Sequence, residues 1–139
     1  MIARYEYYNI YDDGCYLISG VNWFAQTFTV GNIGHNITSV KLLMFRQGIP
    51  GTLTVSIRAT DVDGHPTGAD LTVGTINANV FTEDDAGEWY EIPITEYLLS
   101  RNKKYAIVCR VIDGAELDWV AWRMDNTSPT YDGGNYEEN

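Results

Sequence analysis

The sequence predicts an all-β protein, an antiparallel β-sandwich of about seven or eight strands. Two observations support this prediction. Apolar and polar residues alternate, as in TLTVSIRAT (52–60), where Leu53, Val55 and Ile57 share one face of a half-buried strand. Segments rich in Gly, Pro, Asn and Asp interrupt such runs about every 10 to 20 residues, which is typical of strands joined by turns.

The individual elements follow from the same patterns. KYAIVCRVI is almost continuously apolar, which predicts a central strand with Arg110 on its wetter face. Asp63-Gly64 predicts a tight hairpin turn, and residues 66–68 predict a second bend. TEYLLSRNK (95–103) is expected to form one helical turn at most. The predicted strands are 24–30, 37–47, 52–60, 90–95, 104–112 and 117–125.

The length and charge of the chain indicate how many domains it forms and which partners are unfavourable. The 139 residues suit a single domain, residues 1–139, with one sizeable core. The chain is acidic, with a net charge of −10, so anionic surfaces repel it and we expect no nucleic-acid partner. It contains no run of about 18 apolar residues, so we expect no membrane insertion. MIARYEYYNIYDDG lacks the apolar region of a signal peptide, so we expect either an export signal on a longer parent chain or no export by that route.

The reactive side chains form no recognisable catalytic motif. His35 and His65 both lie in predicted turns, and Gly-x-Ser-x-Gly is absent. Acidic residues cluster in the segments 84–88 and 113–118, but glycoside hydrolysis needs one carboxyl in an apolar pocket and a second at a fixed separation. We therefore expect no enzyme.

Metal and thiol chemistry also have little support. TDVDGHPTG contains Asp-x-Asp-Gly but lacks the further oxygen ligands of a calcium loop, so Asp61 and Asp63 are interpreted as turn residues. A structural calcium in another Asp-rich loop is the alternative; no other cofactor is expected, and the metal ligands stay unknown. Cys15 and Cys109 lack metal-site spacing and are predicted to be free thiols, with one disulfide as the alternative.

The segment LDWVAWRMDNTSPTYDGG (117–134) combines aromatic and hydrogen-bonding residues. Strand alternation places Trp122 on the core face and Trp119 and Arg123 on the wet face. A flat exposed ring can stack on a sugar while neighbouring polar groups bind its hydroxyls. The alternative is that Trp119 covers a loop and Arg123 pairs with an acid. The candidate ligand-binding residues are Trp119, Arg123, Tyr131, Asp118 and Asp125.

Several further segments resemble a family of jelly-roll-like β-sandwich modules found in large bacterial, archaeal and metagenomic surface or secreted proteins. The resemblance lies in AQTFT (25–29), ITSV (37–40), the turn 48–51, GEWYEI (87–92) and YDGGNY (131–136), within about residues 22–136. It implies a non-catalytic accessory module, similar to carbohydrate-binding modules, on the cell surface or outside the cell. The family usually continues into another strand after the Gly-Gly, where none is evident here.

Two functional hypotheses follow. The first is an accessory module of a surface or secreted protein that binds a glycan. The second is a structural spacer or assembly module of a cell-surface or virion-appendage protein, which contacts neighbouring domains or copies of itself. Retention of the chain by a glycan would favour the first hypothesis, and a stable oligomer without glycan binding would favour the second.

Overall fold

The computed structural model describes residues 14–20, 23–112, 117–124 and 136–138. These ranges contain a one-turn 3-10 helix at Ala78–Val80 and nine strands. No helix in them is long and apolar enough to cross a membrane. The strands are Gly14–Ile18 (β1), Phe24–Thr29 (β2), His35–Gln47 (β3), Thr52–Thr60 (β4), Pro66–Asn77 (β5), Glu88–Leu99 (β6), Lys104–Arg110 (β7), Trp119–Met124 (β8) and Tyr136–Glu138 (β9).

The strands form two antiparallel sheets with the pairing of a jelly roll. The first sheet has the order β1-β8-β3-β6, and the second has the order β5-β4-β7-β2-β9. The first eight strands pair as β1 with β8, β2 with β7, β3 with β6 and β4 with β5, so each pair is nested within the next. This is the double-sheet arrangement that protects most strand edges. The predicted antiparallel sandwich of jelly-roll type is confirmed.

The core lies between the two sheets and follows the alternation in the sequence. On β4, Leu53, Val55 and Ile57 are completely buried, as predicted. The facing sheet contributes apolar residues from β3 and β6, and β7 contributes Tyr105, whose hydroxyl accepts a hydrogen bond from the Ser100 N–H at 2.9 Å. The side chains at alternate positions therefore point away from the core, onto the outer face of each sheet.

Three segments differ from the predicted elements. β6 continues to Leu99, and residues 97–99 pair with the start of β3, so the predicted helical turn is wrong. β5 begins at Pro66, which pairs with Thr60, and Gly68 follows within the strand at a register shift against β4. A short strand, β9, follows the Gly-Gly where none was expected, and β1 extends the sandwich to Gly14, ahead of residue 22. Pairing with distant strands decides all of these segments.

The two sheets approach each other closely where β5 passes β6. A Cβ atom on Gly74 would lie 1.9 Å from the main-chain oxygen of Pro93. Two residues along β5, the buried Thr72 hydroxyl donates a hydrogen bond to the main-chain oxygen of Thr95. Glycine at position 74 therefore allows the two backbones to meet, and Thr72 joins them.

Replacing Gly74 by alanine should destabilise the protein by about 1 to 3 kcal/mol, because the added methyl group forces the two sheets apart. Urea unfolding followed by tryptophan fluorescence measures this loss. The matched control is Thr75→Ala, at the next position along β5, which is exposed. Equal stability of the two variants would show that the contact with Pro93 does not limit the packing of the sheets.

Candidate functional site

The predicted ligand-binding segment lies on β8, an inner strand of the first sheet. Val120 is completely buried and Trp122 packs against the core, so the predicted division of this strand into a core face and an outer face is confirmed. Trp119 and Arg123 lie on the outer face. Ala121, between them, is also completely buried, and so is most of Phe45 on the adjacent strand β3. Part of the outer face is therefore packed and not open to water.

Trp119 belongs to this packed part of the outer face. Its ring is half-buried and meets the ring of Phe45 edge-on, with centroids 5.8 Å apart and planes at 78°. This is the T-shaped geometry that aromatic pairs favour. Trp119 is therefore placed as the alternative expects, covering a neighbouring group. It is not a flat, fully exposed ring of the kind expected for sugar stacking.

Asp118 closes the turn between β3 and β4. Its carboxylate accepts a hydrogen bond from the Ile49 N–H at 2.9 Å. Gly48 has a positive φ of 69°, and a Cβ there would lie 2.0 Å from the Asp118 carboxylate. The backbone can approach the carboxylate because residue 48 has no side chain. Asp118 therefore has a structural contact at the place where a ligand contact was predicted.

Arg123 holds the loop that precedes β6. Its guanidinium donates a hydrogen bond to the main-chain oxygen of Asp85 at 2.6 Å. From the end of β3, Arg46 acts on the same loop, donating to the main-chain oxygen of Phe81 and pairing with Glu83 at 3.1 Å. The predicted acid partner of Arg123 is thus replaced, in this contact, by a backbone carbonyl. Both arginines fix the loop against the first sheet.

Trp89, on β6, is the most exposed aromatic ring described on this face. It is 48% exposed and lies opposite Leu43 on β3. Met44 on β3 lies opposite Trp122 on β8, and the strands are antiparallel, so the preceding residue Leu43 lies opposite Arg123. Leu43 therefore lies between Trp89 and Arg123 in one row across the three strands. At about 4.8 Å per strand, the Cα atoms of Trp89 and Arg123 are about 10 Å apart. Tyr131 and Asp125 lie outside the described residues.

The residues weighed for catalysis and metal binding have other contacts. The Asp61 carboxylate accepts hydrogen bonds from the N–H groups of Asp63 and His65, at 3.0 and 2.9 Å, so it stabilises its own turn. Within the described ranges, no group of three or more His, Cys, Asp or Glu side chains is placed to hold a metal ion. Cys109 is a free, buried thiol, and its burial raises its pKa. The side chain of Cys15 is outside the described part of the chain.

A second cluster of functional groups lies on the outer face of the other sheet. We call it the arginine cluster: Trp23, Arg58, Asp70 and Arg110. Arg58 lies on β4, Arg110 on β7 and Asp70 on β5, whereas Trp23 immediately precedes β2. Four separate segments therefore bring two guanidinium groups, one carboxylate and one indole together.

Asp70 links the two arginines. Its carboxylate accepts a hydrogen bond from Arg58 Nε at 2.8 Å and another from Arg110 Nη2 at 2.8 Å. Arg110 also lies within 3.3 Å of the Ser56 hydroxyl. Both guanidinium groups lie near the Trp23 ring, at 5.1 Å for Arg110 and 5.7 Å for Arg58, within the range of cation–π interactions.

Small residues beneath the cluster allow these long side chains to lie along the sheet. Ser56 and Ala106 are completely buried, and Ala25 and Val108 are nearly so. Val108 lies opposite both Ala25 and Ser56, which forms a row of short side chains across three strands. Trp23 packs against the alanine and valine members of this row. Larger residues there would lift the arginines off the sheet.

The cluster determines the ionisation of Asp70. Partial burial by itself raises the pKa of this carboxyl, but hydrogen bonds from Arg110, Arg58 and Ser56 lower it more. The pKa of Asp70 consequently lies well below its usual range, and the carboxylate is ionised at neutral pH. One negative charge thus faces two positive charges.

The sequence contained only part of the signal for this cluster. Alternation placed Arg58 and Arg110 on wet faces of their strands, but nothing indicated that the two strands are neighbours. Asp70 lies just after the segment interpreted as a bend. Comparison of the sequence with protein-family models and with curated proteins gives no match.

Replacing Asp70 by asparagine should destabilise the protein by about 1 to 3 kcal/mol at pH 7, because two partly buried guanidinium groups lose their charged partner. The folded-state pKa of Asp70 is below its unfolded value of about 3.9, so its contribution is present above that pH and is lost as the pH falls. Urea unfolding between pH 7 and pH 2.5 should show the gap between wild type and variant closing below about pH 4.

The exposed Asp63 provides the matched control. Asp63→Asn should stay within about 0.5 kcal/mol of the wild type, since surface substitutions usually do. A deficit for Asp70→Asn that stays constant down to pH 2.5 would contradict the assigned role of the ionised carboxylate.

Proposed function

We propose that the protein is a non-catalytic β-sandwich accessory module of a surface or secreted protein, and that it binds a glycan on the outer face of the first sheet. The observation that carries the proposal is the half-exposed ring of Trp89, which shares one row of a flat sheet face with Arg123. Because the two residues lie in one row with their Cα atoms about 10 Å apart, their side chains can contact parts of one extended ligand.

The chemistry of both groups suits a sugar. The apolar face of a pyranose can stack on an indole ring, and its hydroxyl groups accept hydrogen bonds from a guanidinium. Arg123 is held by its bond to the Asp85 carbonyl, so its guanidinium loses little freedom when a ligand binds. The rigid sheet beneath Trp89 has the same effect. Preorganisation of this kind favours binding without any rearrangement of the backbone.

The predicted site residues take different parts in this proposal. Trp119 supports the face through Phe45, next to the row that holds Arg123. Asp118 maintains the turn at the end of β3 and is assigned no ligand contact. Trp89 replaces Trp119 as the stacking ring because it is the more exposed of the two. Arg123 keeps the role of hydrogen-bond donor to the sugar that the sequence pattern predicts for it.

Affinity electrophoresis of the full chain in gels containing a panel of neutral and acidic polysaccharides tests the proposal. We expect at least one polysaccharide to retard the wild type, and Trp89→Ala to weaken that retardation about ten-fold, equivalent to about 1.4 kcal/mol of lost stacking. Leu98→Ala is the control, because Leu98 is an exposed apolar residue near the other end of β6. No retardation by any polysaccharide, or equal effects of the two variants, would refute the proposal.

A second candidate function is assembly, favoured by apolar residues at one end of the sandwich. The turns β3–β4, β5–β6 and β7–β8 all lie at this end. Four of their aliphatic side chains are at least 66% exposed, and exposed apolar area at one end of a domain can form a contact surface. They are Ile49, Val80, Ile112 and Leu117.

Light scattering over a range of concentrations distinguishes this function from glycan binding. An assembly module should form oligomers that Ile49→Ser weakens, because the serine removes apolar area from the contact. Val62→Ser is the control, since Val62 is 97% exposed in the turn between β4 and β5, at the opposite end. A monomer at every concentration would exclude self-assembly through these turns.

A further inference from the structure

We propose that the arginine cluster binds a single carboxylate or sulfate group carried by an acidic sugar residue. The cluster lies on the second sheet, on the opposite side of the sandwich from Trp89 and Arg123. Its ligand chemistry is therefore separate from the stacking proposed for the first sheet. It adds an anion-specific site to a protein whose overall charge is strongly negative.

The local charge is the first argument. Two guanidinium groups and one carboxylate leave the cluster with one net positive charge, in a chain of net charge −10. Charges more than about 8 Å away are largely screened at physiological salt, so a small anion at the cluster is attracted by the near groups. A long polyanion would also meet the acidic remainder of the surface. The site therefore favours an isolated anionic group.

The unused donors are the second argument. A guanidinium has five N–H donors, and the bond from Arg58 to Asp70 uses only its Nε. Among the described residues, no acceptor bonds the two Nη atoms of Arg58, whose side chain remains 23% exposed. Two parallel N–H groups at the outer end of a guanidinium match the two oxygens of a carboxylate or sulfate. Arg58 is accordingly assigned the direct contact with the ligand.

The rigidity of the cluster is the third argument. Arg110 is only 13% exposed and is held by Asp70 and Ser56, so it acts as a fixed positive charge behind Arg58. Trp23 lies against both guanidinium groups and limits their movement. An anion would find these groups already oriented, and their partial burial strengthens its electrostatic attraction.

The position within the sheet favours a sugar over a peptide. β4 and β7 each have a strand on both sides, so neither offers a free edge to which a peptide could add as a further strand. Recognition by the two arginines therefore depends on side chains; the outer strand of this sheet next to them is β5, which carries Asp70. A hexuronic acid, whose carboxylate projects from a compact ring, fits a site built from side-chain donors on a flat face.

Titration by nuclear magnetic resonance tests this assignment on the full chain, with glucuronate as the probe and glucose as its neutral counterpart. Glucuronate should cause saturable shifts of the Trp23 indole N–H and Arg58 Nε–H signals at millimolar concentrations, and glucose should cause none. Inorganic sulfate should shift the same signals. Shifts with sulfate but not with glucuronate, or equal shifts of these two signals with glucose, would overturn the proposal.

Three variants distinguish loss of the contact between Arg58 and glucuronate from loss of the fold. Arg58→Gln should weaken glucuronate binding at least ten-fold, and Arg58→Lys, which keeps the charge but not the paired donors, should weaken it several-fold. Asp70→Asn should strengthen binding several-fold, because it removes the competing negative charge while the asparagine amide oxygen still accepts a hydrogen bond that holds the arginines. If Arg58→Gln does not fold, the opposite effects expected of the other two variants still decide the question. Wild-type affinity in both Arg58→Lys and Asp70→Asn would overturn the proposal.

Two further measurements distinguish the anion site from the stacking face and a sugar from a peptide carboxylate. In Trp89→Ala, glucuronate should still shift the Trp23 indole N–H and Arg58 Nε–H signals, whereas retardation by polysaccharides through the first sheet should weaken, so the two sites give different results. N-acetyl-aspartate amide presents a carboxylate without a sugar ring. Tighter binding of that compound than of glucuronate would reject an acidic sugar as the occupant.

Discussion

Burial of one apolar face from each sheet is the constraint on which the rest of the structure depends. Residues such as Leu53, Val55 and Ile57 must face the opposite sheet, and strand geometry then places their neighbours on the outside. Arg58 is an outer residue for this reason, and so is Trp89 on β6. A shift of one residue in either strand would bury these polar or half-exposed groups and expose the core. The two candidate faces are thus consequences of packing the interior.

The outer faces differ in how their central rows are filled. On the first sheet, Phe45 and Ala121 are buried beside Trp119, and the exposed ring lies toward β6. On the second sheet, a row of small residues lets Arg58 and Arg110 lie close to the strands and share Asp70. One face therefore presents an aromatic ring, and the other presents preorganised charge. This difference is the physical reason for assigning stacking to one face and anion binding to the other.

Prediction succeeded for strands whose own residues show clear alternation or a continuous apolar run. Alternation in TLTVSIRAT and the apolar run of KYAIVCRVI led to β4 and β7 almost to the residue. It failed at β5, because Pro66 and Gly68 favour turns locally, and only pairing with β4 makes that segment part of a strand. It also assigned Trp119 greater exposure than the ring has, since alternation reports the face of a residue and not what its neighbours cover.

The sequence by itself determined the class of fold, the inner and outer faces of the strands with clear alternation, and the outward position of Arg58 and Arg110. These properties follow from a period of two, which is local to each strand. Only the tertiary structure decided which outer residues meet. Asp70 joins two arginines that are 12 and 40 residues away in the chain, because β4 lies between β5 and β7 in the sheet. Strand order depends on long-range pairing, and no local pattern encodes it.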